Sequence, residues 1–286
     1  MTLKQRARGA IQLFRPELPL AAGVCVVLGE LLALGAFPPL RALGLGFFCG
    51  FFLSGSALIT NDYFDLEVDK INAPQRPLPA GLLSRPEVMT VGVAAGLVGL
   101  AAAWILGPLA LGLSLILWPL GFLYNWRLKA AGLWGNLIVS ASVGMTFVLG
   151  GIAVGQVWNK TVWTFGLIAF LFDLGEEIAG DAMDAEGDRQ RASKSIAIVS
   201  GKRAALHLAG IFFGLVVLLT FLPVVQGWLG LNYLVTISLT DILIIFFGIR
   251  LLKSQTPEAG RRAMRWLYIS ASLGSLAFLI GSFFTY

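Results

Sequence analysis

Residues 40–69 read LRALGLGFFCGFFLSGSALITNDYFDLEVD, and this stretch decides the fold. From Leu40 to Thr60 its only charge is Arg41. A run of about 20 apolar residues, wound as a helix, spans the roughly 30 Å of a bilayer's hydrocarbon core. The run then ends abruptly in Asp62, Asp65, Glu67 and Asp69. A membrane helix that empties into carboxylates is costly unless something binds there.

The rest of the chain repeats the first half of this pattern. Of 286 residues, 57% are apolar and only 13% charged, and the mean hydropathy is +0.81. Soluble chains carry roughly 25% charged residues. Spans are expected at 18–36, 40–60, 88–106, 108–124, 133–154, 161–178, 204–223, 231–250 and 265–284. Breakers fall between them, including Pro38-Pro39, Gly107-Pro108, Gly227 and Pro257. The expectation is one all-α membrane domain over residues 1–286, a nine-helix bundle with a central cavity. Residues 1–16 are basic and polar, so no cleavable signal peptide is expected. Trp104, Trp118, Trp134, Trp158, Trp163, Trp228 and Trp266 lie near predicted span ends, as interfacial aromatics do.

Charge sets the orientation. With nine spans, 19 of the 21 Lys and Arg residues fall at the N-terminus or in the loops after the even-numbered spans. Arg41 and Lys160 alone fall on the other side. The positive-inside bias predicts an inner N-terminus and an outer C-terminus, in the cell (cytoplasmic) membrane. The sixth run, with Asp173, Glu176 and Glu177, is the weakest span by hydropathy, and an eight-span chain would need it to re-enter. The net charge of +5 belongs to loops facing anionic lipid, not to a nucleic-acid partner. One histidine, and two cysteines within apolar runs, exclude a zinc centre.

Eleven of the 16 acidic residues fall in two clusters, 62–69 and 173–188, which the topology puts on the same face. If the second span stays helical, Asn61, Asp65 and Asp69 share one stripe, at i, i+4 and i+8. Glu177, Asp181, Asp184 and Asp188 make another, at i, i+4, i+7 and i+11. Glu67 and Glu186 fall off these stripes and read as solvated loop charges. Two facing stripes of oxygen donors suit a hard divalent cation, and Mg²⁺ is the usual choice beside phosphate. Arg76, Arg127, Lys129, Arg189, Arg191 and Lys194 lie near both clusters, so a diphosphate site is the chemistry expected.

Those residues resemble a known family. Asn61-Asp62-x-x-Asp65-x-x-x-Asp69 with Arg76-Pro77-Leu78-Pro79-Ala80-Gly81 resembles the first signature of the UbiA-type membrane prenyltransferases. Asp181-x-x-Asp184-x-x-x-Asp188 resembles the second. Gly135-Asn136-Leu137, Gly150-Gly151, the Tyr124–Lys129 loop and Arg15-Pro16 also resemble family positions. The resemblance runs from Arg15 to Gly201. It implies a nine-helix bundle that moves an isoprenoid chain from a polyprenyl diphosphate to a lipophilic acceptor among membrane lipids.

By that resemblance, Mg²⁺ is held by Asn61, Asp65, Asp69, Asp181, Asp184 and Asp188. Arg76, Lys129 and Lys194 would contact the diphosphate, and Arg15 the acceptor. The Tyr124 ring would face the allylic cation, with an interfacial anchor as its other reading. Asp62 is a candidate proton acceptor. The segment from Glu177 to Asp188 resembles the branch that alkylates geranylgeranylglyceryl phosphate, although Glu176-Glu177 stands where that branch often has Arg-Glu. An aromatic or quinone-precursor acceptor is the alternative, and an ion-coupled transporter is the rival of another class.

Overall fold

A computed structural model describes residues 3–188 and 193–283, with side chains described for 9–71, 73–185 and 193–283. Among the described residues the secondary structure is entirely helical. In chain order the helices are α1 (Leu3–Phe14), α2 (Glu17–Leu34), α3 (Leu40–Phe64), α4 (Leu66–Asn72), α5 (Arg85–Leu106), α6 (Pro108–Leu123) and α7 (Leu133–Ala153). There follow α8 (Lys160–Asp188), α9 (Ile196–Val199), α10 (Lys202–Thr220), α11 (Leu222–Val225), α12 (Leu231–Leu252) and α13 (Pro257–Phe283). A π-helical turn, Tyr124–Leu128, continues α6.

Eight of these segments are long and apolar enough to cross a membrane: α2, α3, α5, α6 with its π turn, α7, α10 with α11, α12 and α13. Their outer faces carry exposed Leu97, Ile116, Leu218, Ile242 and Phe246, as lipid contact requires. Exposed Trp104, Trp134 and Trp158 stand at helix ends. Trp118, expected at an interface, instead lies within α6. Its Nε1 donates to Ser56 Oγ at 2.8 Å, and Ser56 Oγ donates to the Gly92 carbonyl at 2.7 Å. An indole N–H in apolar surroundings needs a partner, and the serine of α3 supplies one.

Neighbouring helices pack in an order that surrounds a central space. α3 lies along α2 and α5, α7 along α2 and α8, α10 along α8 and α12, and α12 along α13. α2 and α7 cross backbone to backbone. A Cβ on Gly29 would strike the Phe147 carbonyl, and one on Gly150 the Val26 carbonyl. Glycine lets two membrane helices approach backbone to backbone where water-driven burial is absent.

Candidate active site

The first acidic segment bends where the sequence suggested a continuous helix. Asp65 has φ −87° and ψ 6° and separates α3 from α4, although Asp65 N still donates to the Asn61 carbonyl and Asp69 N to the Asp65 carbonyl. The bend divides the expected stripe. Asn61 and Asp65 turn to Lys129, whose Nζ donates to Asn61 Oδ1 at 2.9 Å and pairs closely with Asp65. Asp69 turns to Arg76, with Nη1 to Oδ2 at 2.6 Å.

Arg76 is held by the turn that follows. Ala80 N donates to the Arg76 carbonyl and Leu82 N to the Pro77 carbonyl. Pro77 and Pro79 have no N–H to satisfy, and their φ is preset for such turns. Leu78 and Leu83 anchor the turn in a small core with Leu13, Ile59 and Val88. Arg76 also reaches Asp62 at 3.4 Å, and Arg15 Nη2 donates to the same Asp62 oxygen at 2.7 Å. Asp62 is 1% exposed, and both guanidinium groups reach its Oδ1.

The π turn presents Lys129 and Tyr124. Lys129 N donates to the Tyr124 carbonyl, five residues back, at 2.9 Å. Pro119, one turn earlier in α6, lacks the N–H that would hold a regular ladder. Buried Asn125 fastens the turn to α3 through the Ala57 carbonyl at 2.9 Å and Thr60 Oγ1 at 3.2 Å. From the other side, Lys194 N donates to the Ala130 carbonyl at 3.0 Å. Gly132 there has φ +63°, and a Cβ on it would strike the Lys194 carbonyl. The segment after α8 is thus clasped to the segment after α6. The Lys194 side chain is exposed and lines neither cavity described next.

Two cavities meet at the π turn. The polar one, about 430 Å³, gathers Asp65, Lys129, Asn136, Glu177, Asp181 and Asp184. One carboxylate of the first cluster, Asp65, therefore faces four of the second, Glu176, Glu177, Asp181 and Asp184. Asn136 Nδ2 donates to Asp181 Oδ2 at 2.9 Å, and Asp184 pairs with Arg261 of α13. The side chain of Asp188, the last expected ligand, lies outside the described residues, as do Arg189 and Arg191. The apolar cavity, about 410 Å³, runs between α2, α3, α6 and α7, from Asn61 past Leu58, Gly121 and Val143 to Ala22, Gly50 and Leu149. Tyr124 and Asn125 line both cavities.

The sequence reading did not assign roles to Asn125, Asn136 or Glu176, which also line the polar cavity. Lone amides within otherwise apolar helices were the available signal. Among the described residues, no three Asp, Glu, His or Cys side chains stand close enough to form a metal cage. That arrangement still fits Mg²⁺, which takes one or two carboxylates, keeps waters and completes its shell with phosphate oxygens. The donors here are all oxygen.

Residues 22–276 match the UbiA prenyltransferase family. A digeranylgeranylglyceryl phosphate synthase of Thermococcus kodakarensis is 36% identical over 272 residues, which cover 95% of this chain and 97% of the relative. A solved digeranylgeranylglyceryl phosphate synthase superposes with a TM-score of 0.84 at 29% identity, covering 97% of this chain and 99% of its own. A UbiA homolog from Archaeoglobus fulgidus, solved bound to DMAPP and Mg²⁺, shares the fold with a TM-score of 0.67 at 18% identity, covering 96% and 98%. With that match, and a relative so similar along nearly its whole length, this multi-pass membrane protein belongs to the UbiA prenyltransferase family and is a prenyltransferase.

Proposed function

We propose that the enzyme transfers the geranylgeranyl chain of geranylgeranyl diphosphate to the free hydroxyl of geranylgeranylglyceryl phosphate, with Mg²⁺, in the cell membrane. The observation that carries this reading is the junction of a charged cavity with an apolar one across Tyr124 and Asn125. A donor with a diphosphate head and a hydrocarbon tail lies across such a junction, its C1–O bond beside the tyrosine ring. The acceptor is inferred from the relatives, whose names specify the doubly geranylgeranylated glyceryl phosphate as product.

In this reading Asp65, Asp181 and Asp184 would hold Mg²⁺, with Asn61, Asp69 and Asp188 completing the two stripes. The bound ion would neutralise charge developing on the leaving diphosphate. Lys129, released from Asp65, and Arg76, released from Asp69, contact diphosphate oxygens, with Lys194 at the rim. The Tyr124 face lies against the lengthening allylic C–O bond, where a ring quadrupole favours positive charge. Leu58, Gly121 and Val143 keep water from the carbocation. The acceptor oxygen forms the new ether bond, and its proton leaves with the diphosphate. Asp62 positions Arg15 and Arg76, and Arg15 stands at the acceptor's side.

We further propose one domain over residues 1–286, with α8 as a ninth span, the N-terminus inside and the C-terminus outside. The distribution of Lys and Arg supports it, and so does the length of α8, 29 residues or roughly 44 Å. The test is incubation of purified protein with geranylgeranyl diphosphate, Mg²⁺ and a panel of geranylgeranylglyceryl phosphate, 4-hydroxybenzoate and dihydroxynaphthoate, with EDTA as control. An Mg²⁺-dependent digeranylgeranyl ether is expected. Prenylation of an aromatic acceptor instead would overturn the acceptor. Substrate flux across sealed vesicles without any product would overturn the reaction.

A further inference from the structure

Outside the active site, a further cavity of about 430 Å³ opens between α12 and α13. Arg250, Lys253 and Arg262 converge on it, and no acidic residue lines it. Among the described residues, none of these three cations has a carboxylate within 4 Å. Arg15, Lys70, Arg76, Lys129 and Arg261 each have at least one. Three uncompensated cations around one hollow repel each other and create a strongly positive potential that an anion relieves.

α13 begins at the cavity, where Ala259 N donates to Thr256 Oγ1 at 3.3 Å and Glu258 occupies the first turn without lining the hollow. The buried Ser254 hydroxyl, also in the lining, has no protein partner. One wall is different. Phe247 and Trp266 stack there with centroids 5.4 Å apart and planes 7° apart, and Trp266 is half exposed to the bundle's surroundings. A cationic hollow with an aromatic wall facing lipid suits an amphiphile: the head takes the charges and the chain lies on the rings. The Arg261–Asp184 ion pair puts this cavity at the same end of the bundle as the polar active-site cavity.

We propose that the α12–α13 cavity is a binding site for the phosphate headgroup of an anionic glycerol lipid, separate from the active site. Two sources share that chemistry: the anionic phospholipid of the surrounding membrane, and the reaction's own glyceryl phosphate ether. The second source alone rests on the function proposed above.

The test is native mass spectrometry of the purified full-length protein from detergent, titrated with phosphatidylglycerol, phosphatidylcholine or geranylgeranylglyceryl phosphate. The triple variant R250Q/K253Q/R262Q is compared with K202Q/R203Q/R265Q, which removes the same charge from nearby positions that do not line the cavity. Each Lys or Arg near a membrane surface contributes about 1 kcal/mol to anionic-lipid binding, so the cavity variant should bind an anionic lipid about 100-fold more weakly. The control triple should keep affinity within about threefold of the parent. Retention of phosphatidylglycerol assigns the site to membrane lipid, and retention of the phosphate ether alone assigns it to the reaction's lipid. Equal loss in both triple variants, or no preference of the parent for either anionic lipid over phosphatidylcholine, overturns the proposal. Prenyl transfer under saturating substrates, unchanged in the cavity variant, shows that it is folded.

Discussion

Lys129→Met removes the charge that ties the π turn to the first acidic segment while keeping most of the side chain's volume. Lys129 Nζ bonds Asn61 Oδ1 at 2.9 Å and pairs with Asp65, both on the first acidic segment. In the proposed mechanism it exchanges Asp65 for a diphosphate oxygen. A hydrogen bond to a charged group contributes about 1.5–3 kcal/mol, and each 1.36 kcal/mol is a factor of ten. Loss of one such bond in the transition state lowers kcat/KM for the donor about 10- to 100-fold. The half-saturating Mg²⁺ concentration should not rise, because Asp65 is left without a competing cation. Lys129→Arg keeps the charge and should recover part of the loss. The assay is the initial rate of prenylated product against donor concentration, at saturating acceptor, on protein that elutes as the parent does in size exclusion. A kcat/KM within threefold of the parent would refute a diphosphate role for Lys129.

Four other outcomes follow from the same contacts. Asn136→Ala removes the 2.9 Å donor to Asp181, and kcat should fall by about fivefold, from loss of about 1 kcal/mol of orientation, with little change in donor KM in steady-state kinetics. Gly121→Leu fits its Cβ, whose nearest neighbour is Ala57 Cβ at 3.7 Å, but drives the rest into the apolar cavity; a donor series should show KM rising more for long chains than for short ones. Gly150→Val forces side-chain atoms against the Val26 carbonyl and should destabilise by about 1–3 kcal/mol in thermal unfolding, whereas Gly112→Ala, which meets nothing within 4 Å, should be neutral. Glu30→Met replaces a fully buried carboxyl whose two oxygens lack partners, and the unfolding temperature should rise, since such burial costs about 1–3 kcal/mol.

The helices themselves were legible because hydrocarbon demands long apolar runs. The expected span 40–60 became Leu40–Phe64 and 231–250 became Leu231–Leu252. The last helix begins at Pro257 rather than 265 because Arg261, Arg262 and Arg265 hide its first turns from hydropathy. The polar cavity's pairing of Asp65 with Asp181 and Asp184 was visible in spacing, since each lies at a helical repeat near a basic loop. Three features were not. The bend at Asp65 depends on Lys129 and Arg76 drawing neighbouring carboxylates to different sides, which is a tertiary effect. The π turn needs the ladder to slip by one residue after Pro119, and nothing in Tyr124–Leu128 marks that step by composition. The roles of Asn125 and Asn136 emerge only where α6 and α7 meet α3 and α8.

The pairing of Lys129 with Asp65, and of Arg76 with Asp69 and Asp62, has a consequence for how ligands arrive. At rest each of these carboxylates already has a counter-ion, supplied by the protein itself. In the proposed mechanism loading the site is an ion exchange: Lys129 leaves Asp65 and Arg76 leaves Asp69 for an incoming anion, and an incoming cation would take the places they vacate. Because the charge ledger of the cavity changes little between the two states, dilute salt should slow donor capture far less than it would at an open, uncompensated acidic mouth.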